Sequence, residues 1–274
     1  MALLAISLYL LGAIILTWPL AVHLDDSTPS SWADSKQTVW IFAWEARQLA
    51  RDPSAIFQAP IYAPERDALA YSDHALALGL LAAPIIWATD NPYLAHNLML
   101  IFGVAASGIA AFLAAHELLR DERAALVAGA AFAFAPYWFG HVTQVAHIQT
   151  IFVAWMPLGI FAILRWLRSG SKRFLAVSTV AFVMAALTSW YQAVFLTLAV
   201  AVFLGIMVLR GLRFPFRRAI EGSIALMIVS LVLLPFARPY LRVAARDSKA
   251  EASLAFVELY SATPRSFLTP PASN

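Results

Sequence analysis

Seven stretches of this chain run apolar for 17 to 24 residues each: 3–22, 93–116, 124–140, 146–167, 173–190, 191–209 and 219–236. Runs of that length match the span of a ~30 Å hydrocarbon core. In lipid every backbone N–H and C=O must find a partner inside the protein, which leaves such runs the α-helix. The composition agrees. The 274 residues are 61% hydrophobic and only 13% charged, where soluble domains carry about 25% charge. The expected fold is therefore all-α and integral to the membrane. One multi-pass domain over 1–274 holds about seven transmembrane helices. Membrane lipid is the partner this composition demands. There is no cysteine, which excludes disulfides and cysteine metal sites. The basic residues are not interleaved with aromatic platforms on one face, so no nucleic-acid partner is expected.

The first run, ALLAISLYLLGAIILTWPLAV, lacks a basic leader, exceeds a usual signal-peptide core and has no A-x-A-like site after it. It reads as a retained span. Orientation follows from charge. LLRDER, RWLRSGSKR and RGLRFPFRR are short linkers holding ten of the 19 Lys and Arg residues. The positive-inside rule puts all three in the cytoplasm. The N-terminus is then cytoplasmic, while 23–92, 141–145, the region of 190 and 237–274 lie outside. The shorter run 75–89, with Pro84, must not cross if this scheme is to close.

The long first outer loop has structure of its own. In SKQTVWIFAWEARQLAR, residues 35–51, Trp40 and Trp44 sit one turn apart, with Glu45, Gln48 and Asp52 along another side. This pattern predicts an amphipathic helix lying in the membrane interface. The 75–89 run predicts a second interface helix, joined to the first by a connector with three prolines. Gly103, Ser107 and Gly108 fall near one helix face, where small residues allow close helix approach.

Polar residues collect at the outer edge. Asp34 begins the first interface helix, with Gln37 three residues on, the spacing of a capping box. It is equally placed to act as a general base at the membrane surface. Asp25 and Asp26 read as solvated loop charge or as an acceptor or metal site. Asp73 and His74 precede the second interface helix, either as caps or as polar groups facing the same cavity as Asp34. GHVTQVAHIQ places His141, Gln144, His147 and Gln149 at the outer mouth between two spans. Histidines at a membrane edge are functional candidates, although hydrogen bonding to a neighbouring helix end would also account for them. The spacing is not that of a zinc H-E-x-x-H motif. His96, Asn97 and His116 read as helix contacts. Arg238, Arg242, Arg246 and Lys249 recur about once per turn outside the last span, suited to lipid head groups or to a phosphate.

The order of these segments resembles a known superfamily. ADSKQTVWIFAW resembles the acidic motif after the first span of bacterial multi-pass glycosyltransferases of the C-type fold. These enzymes depend on polyprenyl-phosphate sugars, and they include protein mannosyltransferases and lipid A aminoarabinose transferases. DPSAIFQAPIYAPERDALAYSDH is similar to their first outer loop, and LLAAPIIWATDNPYLAHNLML to the juxtamembrane helix entering the second span. ERAALVAGAAFAFAPYWFGHVTQVAHIQTIFVAWMPL, TSWYQAVF and SATPRSFLTPPASN follow in the family's order.

The resemblance implies sugar transfer on the outer face of the bacterial cytoplasmic (inner) membrane, from a polyprenyl-phosphate-linked donor to a glycan, lipid or protein acceptor, with inversion. It implies Asp34 as the catalytic carboxylate. Asp73, His74, His141, His147, Gln149 and Arg238 become candidates for substrate binding, Arg238 on the donor phosphate. The resemblance fixes no cofactor; the lipid-linked sugar is the donor substrate, and a divalent metal is compatible with the carboxylates. Where relatives carry paired acids, Asp34 is followed by Ser35 and Lys36. Family members commonly continue with further spans, so an end at TPPASN is expected of an N-terminal fragment or a reduced relative. The competing expectation is a non-enzymatic protein of the same architecture, either a lipid-linked-sugar transporter or a polymer-assembly partner. Transporters put their sites near mid-bilayer, whereas polar residues here gather at one edge.

Overall fold

The computed structural model describes residues 1–30, 33–137, 147–211, 215–246, 254–261 and 263. Among them there are helices and turns but no strand. In chain order the helices are α1 (Ala2–Leu16), α2 (Ala33–Arg51), α3 (Leu76–Thr89), α4 (Pro92–Leu119), α5 (Glu122–Ala133), α6 (Ile148–Ile151), α7 (Trp155–Ser169), α8 (Lys172–Thr188), α9 (Trp190–Leu209), α10 (Phe216–Arg246) and α11 (Leu254–Tyr260). Four segments are long and apolar enough to cross a membrane: Pro92–Leu119, Ile148–Ser169, Trp190–Leu209 and Phe216–Arg246. The all-α, transmembrane character expected from the sequence is thus present in four helices.

Local chemistry explains where helices start and stop. Asn91 caps α4 by accepting from the Leu94 N–H, with Pro92 at the first helical position. Asp121 caps α5 through the N–H groups of Arg123 and Ala124. Gly170, at φ 73°, closes α7 in the left-handed conformation that glycine adopts without strain. Four expected spans have different bounds. In the run 3–22 the α-helix ends at Leu16, where Thr17 turns its hydroxyl onto Ala13 O and Pro19 follows, and a single 3-10 turn closes the run at Leu20–Val22. Within the run 124–140 helix α5 ends at Ala133, because Pro136 disfavours helical backbone at the residue before it. The run 146–167 is interrupted at 152–154. Pro157 cannot donate to the carbonyl four residues back and its ring crowds it. Gln192 repairs the interruption, its side-chain amide donating to Gln149 O and Phe152 O. The last span extends beyond the expected 219–236, and α10 carries Arg238, Arg242 and Arg246 on the same continuous helix.

The three basic turns meet at one end of the bundle. Glu117, buried at the end of α4, accepts from Arg120, from Arg165 at 3.0 Å and from Arg168 at 2.8 Å, the last two on α7. Arg218 at the start of α10 donates to Trp166 O and Leu167 O near the end of α7. Residues 17–30 and the loop 52–75 gather at the opposite end. Asn97 holds the carbonyls of Leu24 and Ser27 there, and Asn91 that of Asp25. Asp25 is exposed, and Asp26 pairs only loosely with His23, at 3.6 Å, as solvated loop charge would.

The loop helices form as expected but sit differently. α2 and α3 pack on each other, and α3 also packs on α4 and α8. Trp40 and Trp44 stack, ring centroids 6.3 Å apart, and Trp44 donates to Ile56 O. Glu45, placed by the sequence pattern on the polar side of α2, is completely buried against α3. Only Glu45 of that stripe is covered; Gln48 is half-buried and Asp52 is exposed.

Candidate functional site

The beginning of α2, the turn before α3 and the segment entering α6 enclose a small polar cavity of about 50 Å³ at the end of the bundle opposite the basic turns. Asp34, Gln37, Thr38, Ile41, Ser72, Asp73, Ala75, His147 and Gln149 line it. Four of the seven residues expected at a site are here: Asp34, Asp73, His147 and Gln149.

Asp34 lies within the first turn of α2, which already begins at Ala33, and so it is not the N-cap that the Asp34–Gln37 spacing suggested. A carboxylate in a first turn still interacts favourably with the helix dipole. Its ion partner is His147: Oδ2 and Nε2 are 3.3 Å apart, both side chains partly exposed. Some 113 residues of chain separate the two, and Lys36, two residues after Asp34, lines an adjoining groove.

Asp73 is not a cap either. Ala75 occupies the N-cap of α3, in a left-handed conformation at φ 49° and without a side-chain cap bond. The Asp73 carboxylate instead accepts from the Ser189 hydroxyl at 3.1 and 3.2 Å. Ser189 sits in extended backbone between α8 and α9 and also caps α9 by accepting from Tyr191 N. Burial pushes the Asp73 carboxyl above the usual carboxylate range, opposed by hydrogen bonds from Ser189 and Gln149 and by the charge of His147. The Gln149 Oε1 is buried without a hydrogen-bond partner among the described residues. It is an acceptor available to a ligand hydroxyl.

His74 is placed elsewhere. Fully buried behind the cavity, it meets Tyr240 of α10, Nδ1 to the hydroxyl at 2.9 Å, while that hydroxyl donates to Ser72 O. With the tyrosine proton committed to Ser72, His74 carries its own on Nδ1. Burial holds its pKa down at about 4, so the ring is neutral. It packs against Phe57 and Trp190. Its role is to fix the turn that presents Asp73. Arg238 is exposed on α10 and does not line the cavity. Arg242 and Arg246, on the same helix face, are occupied by the buried Asp67, with Arg242 bidentate at 2.7 and 2.9 Å. The Arg242 hydrogen bonds hold the Asp67 carboxyl below the usual range despite its burial. His141, Gln144 and Lys249 lie outside the described residues. No group of three metal-binding side chains occurs among the described residues.

Two larger spaces flank the cavity. One, about 570 Å³ and open, shares Gln37 with it and adds Lys36, Trp40, Pro60, Ile61 and Tyr62. The other, about 200 Å³, shares Gln149 and is walled by Phe132, Tyr137, Val153, Tyr191 and Phe195 among others. Ser189 and Gln37 were not foreseen as site residues. Ser189 could have been suspected from TSWY, a polar break between two apolar runs, but not its pairing with Asp73.

Compared with family models, curated proteins and solved structures, the chain matches none of them.

Proposed function

We propose that this chain transfers a sugar from a polyprenyl-phosphate donor to a hydroxyl acceptor, at the outer face of the bacterial cytoplasmic membrane. One observation carries the reading: Asp34 and His147 stand 3.3 Å apart in a polar cavity that also holds Asp73. Seven crossings, with the basic turns in the cytoplasm, would put that cavity outside.

The acceptor hydroxyl oxygen attacks the anomeric carbon, and the bond from that carbon to the phosphate oxygen breaks. Polyprenyl phosphate leaves with the electron pair. Asp34 takes the acceptor proton, and His147 orients its carboxylate through the 3.3 Å contact. The cavity itself has room only for a few water-sized groups, so it encloses the reacting atoms while the rest of each substrate lies in the flanking spaces. The space walled by Phe132, Tyr191 and Phe195 suits the isoprenoid end of the donor. The open groove, with Trp40, Tyr62 and Lys36, suits the acceptor. Arg238 remains the candidate cation for the phosphate only if that group lies outside the cavity. Lys36, at the cavity's edge, is the alternative.

A transporter would need free backbone carbonyls or charge where a helix breaks in mid-membrane. The break at 152–154 offers neither, since Gln192 occupies the carbonyls of Gln149 and Phe152.

The deciding experiment assays membranes carrying the chain for transfer from polyprenyl-phosphate sugars, beside Asp34→Asn at matched protein level. A loss of about 10²–10⁴-fold in the variant is expected of a missing general base. Equal activity in both would remove Asp34 from the mechanism. No transfer in either, over a panel of donors, would favour the non-enzymatic reading.

A further inference from the structure

We infer that a groove between α8, α9 and α10 at the basic end of the bundle holds one alkyl chain of an anionic phospholipid, whose phosphate is taken by Arg218. The inference stands apart from sugar transfer: it concerns the opposite end of the molecule and needs only the membrane-spanning character of α9 and α10.

The groove exists because α9 and α10 both pack on α8 and barely touch each other. Its volume is about 470 Å³, and its walls include Leu175, Phe182, Leu204, Leu226 and Val229. The Thr179 hydroxyl on this wall is spent on Leu175 O. From Arg218 to Val229 the α10 wall climbs eleven residues, roughly 16 Å at about 1.5 Å per residue. That is about the depth of one leaflet of a ~30 Å core.

The apolar walls and this one-leaflet depth suit an alkyl chain. Charge selects the head group. Arg218 stands at the mouth, anchored by Nη1 on Trp166 O and Leu167 O and lying over the Trp166 ring. Its other N–H groups make no hydrogen bond among the described residues. Gly170 leaves room for the guanidinium, since a Cβ there would come within 2.9 Å of Nη2. Arg217, Lys172 and Arg173 are exposed around the same mouth. The neighbouring carboxylate Glu221 is already held by Arg217 and the Trp166 indole. A fixed guanidinium among further cations favours a phosphodiester that carries net charge over a zwitterion.

The test is native mass spectrometry of the full chain in detergent, with added phosphatidylglycerol or phosphatidylcholine of identical acyl chains. We expect one phosphatidylglycerol retained per chain, at least ten-fold more than phosphatidylcholine. Arg218→Gln should abolish that preference. Because Arg218 also ties α7 to α10, a second variant guards against simple misfolding. At Gly222 a Cβ would meet only Trp166, at an ordinary 3.5 Å. Gly222→Leu should leave the fold intact, fill the groove and lower retention of both lipids about ten-fold. Equal retention of the two lipids by the native chain would overturn the proposal. So would full retention by folded Gly222→Leu, or a lipid-free dimer in which a second copy covers the groove.

Discussion

The carboxyl of Glu45 lies where a side chain at position 79 would begin. Oε2 of Glu45 occupies the place of a Cβ on Gly79, and both residues are buried between α2 and α3. Among the described residues neither oxygen of Glu45 has a hydrogen-bond partner, and burial raises its pKa well above the usual carboxylate range. Gly79→Ala should therefore cost about 3 kcal/mol from overpacking. Glu45→Ala in the same chain should recover most of that loss, a strong non-additivity between contacting residues. Thermal melts of the two single variants and the double variant check this. Additive losses would mean the two groups do not compete for space.

His74 predicts a pH effect. Its pKa is about 4 in the folded chain and near 6.5 when exposed. A depressed histidine contributes stability that is fully present above 6.5 and is lost as pH falls towards 4, in total on the order of 3 kcal/mol. Glu45 and Asp73, with raised pKa values, act in the opposite sense, since their protonated forms are favoured in the fold. His74→Gln should lessen the decline between pH 6.5 and 4. An unchanged decline would place its origin elsewhere.

Gln192 should matter far more than its conservative appearance suggests. Its amide satisfies two carbonyls at the interruption before α7. Gln192→Leu leaves both buried acceptors without partners, which costs about 2–3 kcal/mol. The same substitution at Gln48, whose amide makes only a 3.5 Å contact with Ala55 O, should change the melting temperature little.

Asp67 joins the 52–75 loop to α10 through Arg242 and Arg246. Asp67→Asn keeps the size and one acceptor but loses the charge, and should cost about 2 kcal/mol. The loop should then become a preferred site of limited proteolysis. Cleavage no faster than in the native chain would show that the tie is dispensable.

His147 offers a check on the sugar-transfer reading separate from Asp34. If it orients Asp34, His147→Gln should lower turnover about ten-fold or more while Asp34→Asn, His147→Gln is no worse than Asp34→Asn alone. Multiplying losses would mean that the two residues act separately.

Helix character, the basic turns and the polar edge were legible in the sequence because each is a local signal: run length, Lys and Arg placement, and spacing. What was not legible is pairing across distance. Nothing near Asp34 in the chain names His147, and nothing near Asp73 names Ser189. Arg242 and Arg246 look like free phosphate ligands until Asp67, in another loop, claims them. Glu45 was misplaced because a helical wheel assumes that a carboxylate faces water. The space that makes its burial workable belongs to Gly79, on a different helix. The bounds of α5 and α7 turn on Pro136 and Pro157, which window-based hydropathy averages away.

The Glu117 knot has a mechanical consequence. Two arginines of α7 on one buried carboxylate of α4 rivet these helices together at one end, and Arg120, at the end of α4 itself, adds a third bond to the same group. Parting α4 from α7 there would leave a buried carboxylate without its cations, so the two helices are held at that end as a single unit.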